Sequence, residues 1–106
     1  MYENTWKFLC MEDFVNWKLT GKAATDYSVA SCTMLFDIRK KEWSSKILET
    51  IGTDESVLPE VYPSGTVIGE VQRSASEDTG LAPGTLVATG GMDQCCGALA
   101  VSVVKE

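Results

Sequence analysis

The stretch from Gly90 to Leu99 (GGMDQCCGAL) restricts the possible folds of this chain more than any other. A short apolar segment, residues 86–88, precedes two glycines, and a single acid, Asp93, is followed by small and apolar residues. This order predicts a buried strand, a tight turn without Cβ atoms, and a buried helix that starts at Asp93. Because open α/β sheets carry their ligand sites at such turns, Asp93 is a candidate catalytic base.

Length and charge limit the classes of function. The chain of 106 residues fits one small domain. Its formal net charge of −6 argues against binding to nucleic acid or to an anionic membrane, since both require a basic face. No apolar run is long enough to span a bilayer and the N-terminus lacks the layout of a signal peptide, so we expect a cytoplasmic protein.

The cysteine pattern indicates neither a metal site nor a disulfide. Cys10, Cys32, Cys95 and Cys96 form no CxxC pair, and the chain contains no histidine. We therefore predict free, mostly buried thiols and no bound metal. Cys95 and Cys96 are expected to pack as small apolar residues, with a thiol redox function as an alternative.

Apolar spacing and capping residues predict helices in the first half of the chain. A helix over Asn4–Thr20 carries two adjoining apolar stripes and is expected to be covered on more than one side. A second helix is capped by Thr25 or Asp26 and runs to Met34, and a third begins at Ser44. Asp26 is read as a cap rather than a site residue. Glycines at 21 and 52 end the first and third helices.

The second half mixes short strands and helices. Its predicted segments are an extended connector over 58–63, a strand over 67–71, a short helix opened by Ser74 and Glu77 and ended by Gly80, a strand over Thr85–Thr89 and a helix over Asp93–Val104. The two strands have no obvious partners, and the last helix is apolar on every side. We therefore expect a part of a larger protein, which self-associates when it is expressed alone.

Short motifs recur in order along nearly the whole chain: DFVNWKLTG at 13–21, TDYSVASCTMLFDIR at 25–39, LPEV at 58–61, TGL at 79–81 with PGT at 83–85, and GGMDQ at 90–94. Together they resemble the FGGY family of carbohydrate kinases, which includes xylulokinases, gluconate-type kinases and glycerol kinase. The resemblance implies a mixed α/β fold, a fragment of an actin-like (ribonuclease H-like) ATPase domain that is mostly helical with two short strands. Residues 1–106 would be the C-terminal part of the family's N-terminal domain.

The resemblance also implies a reaction. Family members transfer the γ-phosphoryl group of ATP, with Mg²⁺, to a hydroxyl of a sugar or polyol. Asp93 would be the general base and Gln94 would lie against the substrate, while Gly90 and Gly91 would allow phosphate or sugar to approach. The family's phosphate-binding loop is absent from this chain, so the nucleotide site would be supplied by the remainder of the kinase, and the chain alone is expected to be inactive.

Each of these roles has a simpler alternative. Asp93 can be only a helix cap, Gln94 can point to solvent, and the two glycines can serve only the turn. The tryptophans Trp6, Trp17 and Trp43 are expected to anchor the core or its rim. An alternative for the whole chain is a non-catalytic, actin-like interaction module.

Overall fold

The computed structural model describes residues 2–102, which form a mixed α/β arrangement of five α-helices and six short strands. The helices are α1 (Met11–Thr20), α2 (Tyr27–Cys32), α3 (Ser45–Ile51), α4 (Arg73–Thr79) and α5 (Asp93–Ala100). The strands are β1 (Ala24–Asp26), β2 (Phe36–Asp37), β3 (Glu42–Trp43), β4 (Glu60–Tyr62), β5 (Val67–Glu70) and β6 (Leu86–Ala88). Short 3-10 turns cover Tyr2–Asn4 and Glu55–Val57.

The strands pair two by two. β1 lies parallel to β4, and β2 forms an antiparallel hairpin with β3. β5 and β6 pair antiparallel, with Val67 opposite Ala88 and Glu70 opposite Leu86. The expectation that the two strands of the second half lack partners is therefore wrong, because each is the partner of the other.

The sequence did not reveal β1 to β4. Thr25 and Asp26 are predicted as the cap of a helix, and residues 58–63 as an extended connector rather than a paired strand. Strands of two or three residues are too short to show an alternating pattern. The pairing of β1 with β4 also joins segments that are distant along the chain, as in the Thr25–Val61 pair.

The first long helix begins later than predicted, at Met11 instead of Asn4. Residues between the first 3-10 turn and α1 instead run along the segment 56–58. The Phe8 amide donates to the carbonyl of Val57 at 2.8 Å, and the Lys7 ammonium donates to the carbonyls of Ser56 and Leu58, each at 2.6 Å.

The true start of α1 is marked by an acid. Cys10 is the N-cap, and the carboxylate of Asp13 accepts the Cys10 amide hydrogen at 2.9 Å. Asp13 is buried, as is Asn16 one turn later, while Phe14 and Val15 are exposed. The prediction that both apolar stripes of this helix are covered is therefore wrong for the described chain.

Several helix ends follow their capping residues. Asp26 caps α2 by accepting the Ser28 amide hydrogen at 2.8 Å, and Ser44 caps α3. Gly21, Gly52 and Gly80 end α1, α3 and α4 in the left-handed conformation, as predicted. The predicted start of α4 is wrong, because Gln72 is its N-cap and the Ser74–Glu77 capping box does not form. α2 ends at Cys32, two residues before the predicted Met34.

The hydrophobic core lies between α2, the β2–β3 hairpin and α3. It is formed by Ala30, Phe36, Trp43, Leu48 and Leu58. The rings of Phe36 and Trp43 meet edge to face at 5.8 Å, and the Trp43 indole donates to the Pro59 carbonyl at 2.9 Å. Trp43 is thus a core anchor, whereas Trp17 is half-buried and Trp6 is exposed.

The last helix is not covered within residues 2–102. None of the described residues of α5 is buried, and Leu99 is 66% exposed. The prediction that this helix and β6 are buried is therefore wrong for residues 2–102, whose overall extents are 46 × 43 × 19 Å. α5 ends at Ala100, and the predicted end, Val104, lies outside the described residues.

The thiols are free, as predicted, but their burial was predicted wrongly. Cys32, Cys95 and Cys96 are exposed, and Cys10 is partly buried. The two adjacent cysteines lie on the uncovered helix α5, which explains the difference. Of the described helices, none is both long and apolar enough to cross a membrane.

Candidate functional site

Asp93 is the first residue of α5, at the end of the turn that follows β6. Met92, not Asp93, is the N-cap, with an extended backbone at φ −55° and ψ 139°. The Asp93 carboxylate is exposed, and one of its oxygens lies 2.9 Å from the amide nitrogen of Gln94. Asp93 is therefore not the N-cap of α5, but its carboxylate accepts an amide hydrogen of the first turn. The amino end of α5 favours a negative charge at this position.

A cleft of about 400 Å³ opens beside Asp93, between α1, α2 and the turn. Its lining consists of apolar and sulfur-containing side chains together with two acids: Cys10, Met11, Glu12, Val15, Val29, Met92 and Asp93. An alcohol that entered the cleft would meet the Asp93 carboxylate.

A second cleft, of about 450 Å³, lies on the other face of the turn and includes Gly90, Gly91 and the hydroxyls of Ser28 and Ser64. Neither glycine has a positive φ, so the turn does not need their conformational freedom. A Cβ at Gly91 would lie 3.4 Å from the Cys96 sulfur, which is ordinary contact. The glycines therefore leave the space beside the turn open without being sterically required there.

A buried carboxylate beneath this turn organises its hydrogen bonds. One oxygen of Asp26 accepts from the Ser28 amide at 2.8 Å, from the Ser28 hydroxyl at 2.5 Å and from the Ser64 hydroxyl at 2.9 Å. The Ser28 hydroxyl in turn accepts the Met92 amide hydrogen at 2.8 Å. The residue that precedes Asp93 is thereby tied to a fully buried acid on β1.

Glu12 lies against the same acid. Two buried oxygens of these carboxyl groups, Oε1 of Glu12 and Oδ2 of Asp26, have no hydrogen-bond donor among the described residues. Burial, followed by the charge of Asp26, raises the pKa of Glu12 to about 7. Burial acts to raise the pKa of Asp26 as well, but its hydrogen bonds from Ser28 and Ser64 outweigh burial and hold it below the usual value.

The structure brings together part of the predicted site. Asp93, Gly90 and Gly91 line the two clefts, whereas Gln94 is exposed and lines neither. Asp26 is a cap, as predicted, and has a second role under the turn.

Sequence reasoning missed Glu12, Ser28 and Ser64. The proximity of Ser28 to a capping acid was a usable signal, because an N-cap carboxylate fixes the polar groups of the first helical turn. Ser64 follows a connector with no helical or strand pattern, and no local signal points to it.

The fold agrees with that of known kinases. The chain superimposes on the crystal structure of xylulose kinase from Rhodospirillum rubrum with a TM-score of 0.88 and 25% identity, over 94% of this chain and 21% of the other. The structure of Plasmodium falciparum glycerol kinase with ADP gives a TM-score of 0.80 at 24% identity, over 92% and 19%. The described residues are thus a mixed α/β part of an actin-like ATPase fold.

Sequence comparison identifies the family. A sequence profile of the FGGY family of carbohydrate kinases, N-terminal domain, matches residues 1–100. The chain belongs to the FGGY family of carbohydrate kinases.

Individual relatives agree with this assignment. The chain is 34% identical over 106 residues to the xylulose kinase of Bacillus subtilis (strain 168), covering 100% of this chain and 21% of that protein. It is 52% identical over 65 residues to glycerol kinase 2 of Sulfolobus acidocaldarius, covering 59% and 13%. The chain thus spans about a fifth or less of the length of these relatives.

Proposed function

We propose that this chain is part of an ATP-dependent kinase that phosphorylates a hydroxyl of a sugar or polyol, with Asp93 as the general base. The family assignment supports the reaction class. The observation that carries the role of Asp93 is its exposed carboxylate at the first position of α5, on the wall of an open cleft.

The chemistry asked of Asp93 is the removal of one proton. Phosphoryl transfer depends mainly on positioning and charge stabilisation, and a carboxylate accepts the proton of the attacking hydroxyl. A general base of this kind contributes roughly 10²- to 10⁴-fold to the rate. The fixed backbone at Met92 holds the carboxylate at the mouth of the cleft, where an acceptor hydroxyl can reach it.

The residues beside Asp93 do not suit the binding of a polyphosphate. Among the described residues, neither cleft is lined by a lysine or an arginine. Residues 2–102 also contain no group of three or more acidic or thiol side chains placed to hold a metal ion. The two clefts beside Asp93 therefore do not fit ATP and Mg²⁺, whose site would be supplied by the remainder of the kinase.

The neighbouring predicted residues take supporting roles in this proposal. Gly90 and Gly91 leave open space on the second cleft, so a substrate can approach the backbone of the turn. Gln94 is exposed at the first turn of α5, where its amide can contact a sugar that extends beyond the cleft. The sugar or polyol is thus proposed to lie across the amino end of α5.

A kinase assay on the complete gene product that contains these residues tests the proposal. ADP release is measured with glycerol, xylulose and gluconate as acceptors, and we expect at least one to be phosphorylated. Asp93→Asn should lower kcat by roughly 10²- to 10⁴-fold, because asparagine cannot accept the proton. The 106-residue chain on its own should show no turnover.

The matched control is Asp78→Asn, which removes an exposed acid from α4. It should retain the activity of the unsubstituted protein. Equal activity of Asp93→Asn and Asp78→Asn would refute the role of Asp93 as the base. Failure with every acceptor would refute the proposed reaction class for this panel of substrates.

A non-catalytic interaction module is the second candidate function. The exposed apolar side chains of Leu99 and Val101 on and beside α5 favour it, because such surfaces normally contact another protein surface. In this case the gene product would bind a partner through α5 without phosphorylating any acceptor. The same kinase assay separates the two functions.

A further inference from the structure

A hydrogen-bond chain connects a buried acid to the residue before Asp93. It begins at Asp26, which is 0% exposed, passes through the Ser28 hydroxyl and ends at the Met92 amide. We propose that Asp26 and Ser28 are positioning residues for Asp93, because they fix the backbone from which the Asp93 carboxylate projects. This inference rests on the proposed role of Asp93.

The geometry at Ser28 permits one arrangement of hydrogens. Its hydroxyl lies 2.5 Å from the Asp26 carboxylate, which can only accept, so the Ser28 hydroxyl donates there. Its oxygen then accepts the Met92 amide hydrogen at 2.8 Å. A Ser28 hydroxyl held in this way cannot rotate away from Met92 without losing its bond to a buried charge.

Met92 is a position where such a bond matters. It is the N-cap of α5 but has no side-chain cap hydrogen bond of its own. Its backbone angles set the direction in which α5 leaves the turn, and therefore where the first helical residue, Asp93, stands. Ser28 thus supplies an external contact that fixes the start of the helix.

Two further side chains lie close to Asp26. The Ser64 hydroxyl donates to the same Asp26 oxygen at 2.9 Å, and Glu12 of α1 lies near enough to Asp26 for the Asp26 charge to raise the pKa of Glu12. Glu12 also lies under the turn, since a Cβ at Gly90 would be 3.5 Å from a Glu12 oxygen. Hydrogen bonds therefore fix Asp26 from α2 and from the segment after β4 at once.

The test is a double-mutant cycle in the complete gene product, with kcat and KM for the acceptor as readouts. Ser28→Ala removes the acceptor of the Met92 amide and should lower kcat about 10- to 100-fold, because small displacements of a catalytic group cost rates of this order. KM should stay within about threefold, since substrate contacts are kept. In the Asp93→Asn background, Ser28→Ala should lower kcat no further.

Controls separate positioning from general damage. Ser31→Ala removes a hydroxyl one turn along α2 that donates to the Ser28 carbonyl at 2.7 Å and lies 4.0 Å from the Cys32 sulfur. This control should leave kcat unchanged. Ser28→Thr keeps a hydroxyl and should restore most of the rate. If Ser28→Ala does not fold, Ser28→Cys replaces it, because a thiol keeps the volume and is a weak acceptor; it should lower kcat about tenfold.

The outcomes distinguish this inference from the proposed function. A loss of activity in Asp93→Asn combined with full activity in Ser28→Ala overturns the positioning role and leaves Asp93 as the base. The positioning role is also overturned if Ser28→Ala lowers kcat by the same factor in the unsubstituted protein and in the Asp93→Asn background. The serine would then act independently of Asp93. Full activity in Asp93→Asn overturns the base and the positioning role together.

Discussion

The packed core around Trp43 and the strand–turn–helix segment over residues 86–102 are held in different ways. In the core, apolar side chains from α2, the β2–β3 hairpin and α3 bury one another. In the second segment no described residue of α5 is buried, and the turn is tied to Ser28 and through it to Asp26. The comparison teaches that apolar packing stabilises this chain in one place, while polar contacts position its candidate site in another.

The largest effect that tests this comparison is a loss of stability in the core. Trp43→Ala removes a side chain that is 6% exposed and should cost about 3–5 kcal/mol of the free energy of unfolding. Trp6→Ala is the matched control; Trp6 is 59% exposed, and its loss should cost about 1 kcal/mol or less. Urea unfolding followed by circular dichroism measures both. Equal costs would break the distinction between core and surface.

The second prediction concerns pH and the acid pair beneath the turn. The pKa of Glu12 is raised to about 7 in the folded chain, so the folded state holds its proton more tightly than the unfolded state. The stabilisation is complete below the ordinary pKa of a glutamate and is lost as the pH rises through about 7. We expect the chain to be less stable at pH 8 than at pH 5 by on the order of 1–2 kcal/mol, after allowance for solvent screening.

Glu12→Gln checks the source of this pH dependence. A glutamine can donate to the Asp26 carboxylate at every pH, so the variant should be more stable than the unsubstituted chain at pH 8 and similar to it at pH 5. Part of the slope should remain, because burial also raises the pKa of Asp13. Glu77→Gln, on the exposed face of α4, is the control and should keep the full slope. An unchanged slope in Glu12→Gln would contradict Glu12 as the source of the pH dependence.

The smallest expected effect on stability lies on α5. Leu99→Gln replaces an exposed leucine and should change the free energy of unfolding by less than about 0.5 kcal/mol. It should reduce self-association of the isolated chain, measured by light scattering, because it interrupts an exposed apolar face. Leu81→Gln, in an exposed position outside α5, should have little effect on association. A monomeric unsubstituted chain would remove the case for α5 as a contact surface.

The features that could be predicted from sequence were those with a local cause. Ser44, Gly52 and Gly80 marked helix ends because caps and left-handed glycines act within one turn. The order of strand, glycine turn, acid and helix at Asp93 was also local and was found.

The features that could not be predicted depend on distant contacts. The Thr25–Val61 pairing joins segments far apart in the chain, and the Phe8–Val57 hydrogen bond delays the start of α1. The bond from Ser28 to Met92 spans 64 positions. The exposure of α5 could not be predicted either. Its apolar composition indicates that the surface needs a partner, but composition does not show where that partner lies.

The most direct test of the account is the kinetic behaviour of Asp93→Asn in the complete gene product, with acceptor affinity and turnover measured side by side. Acceptor affinity is followed by calorimetry and turnover by ADP release. If Asp93 accepts the proton of the substrate hydroxyl, kcat should fall by roughly 10²- to 10⁴-fold while the acceptor Kd changes little. The account would be contradicted if kcat at saturating acceptor were unchanged and the turnover lost at low acceptor concentration matched a proportional weakening of Kd. Asp93 would then only bind the substrate.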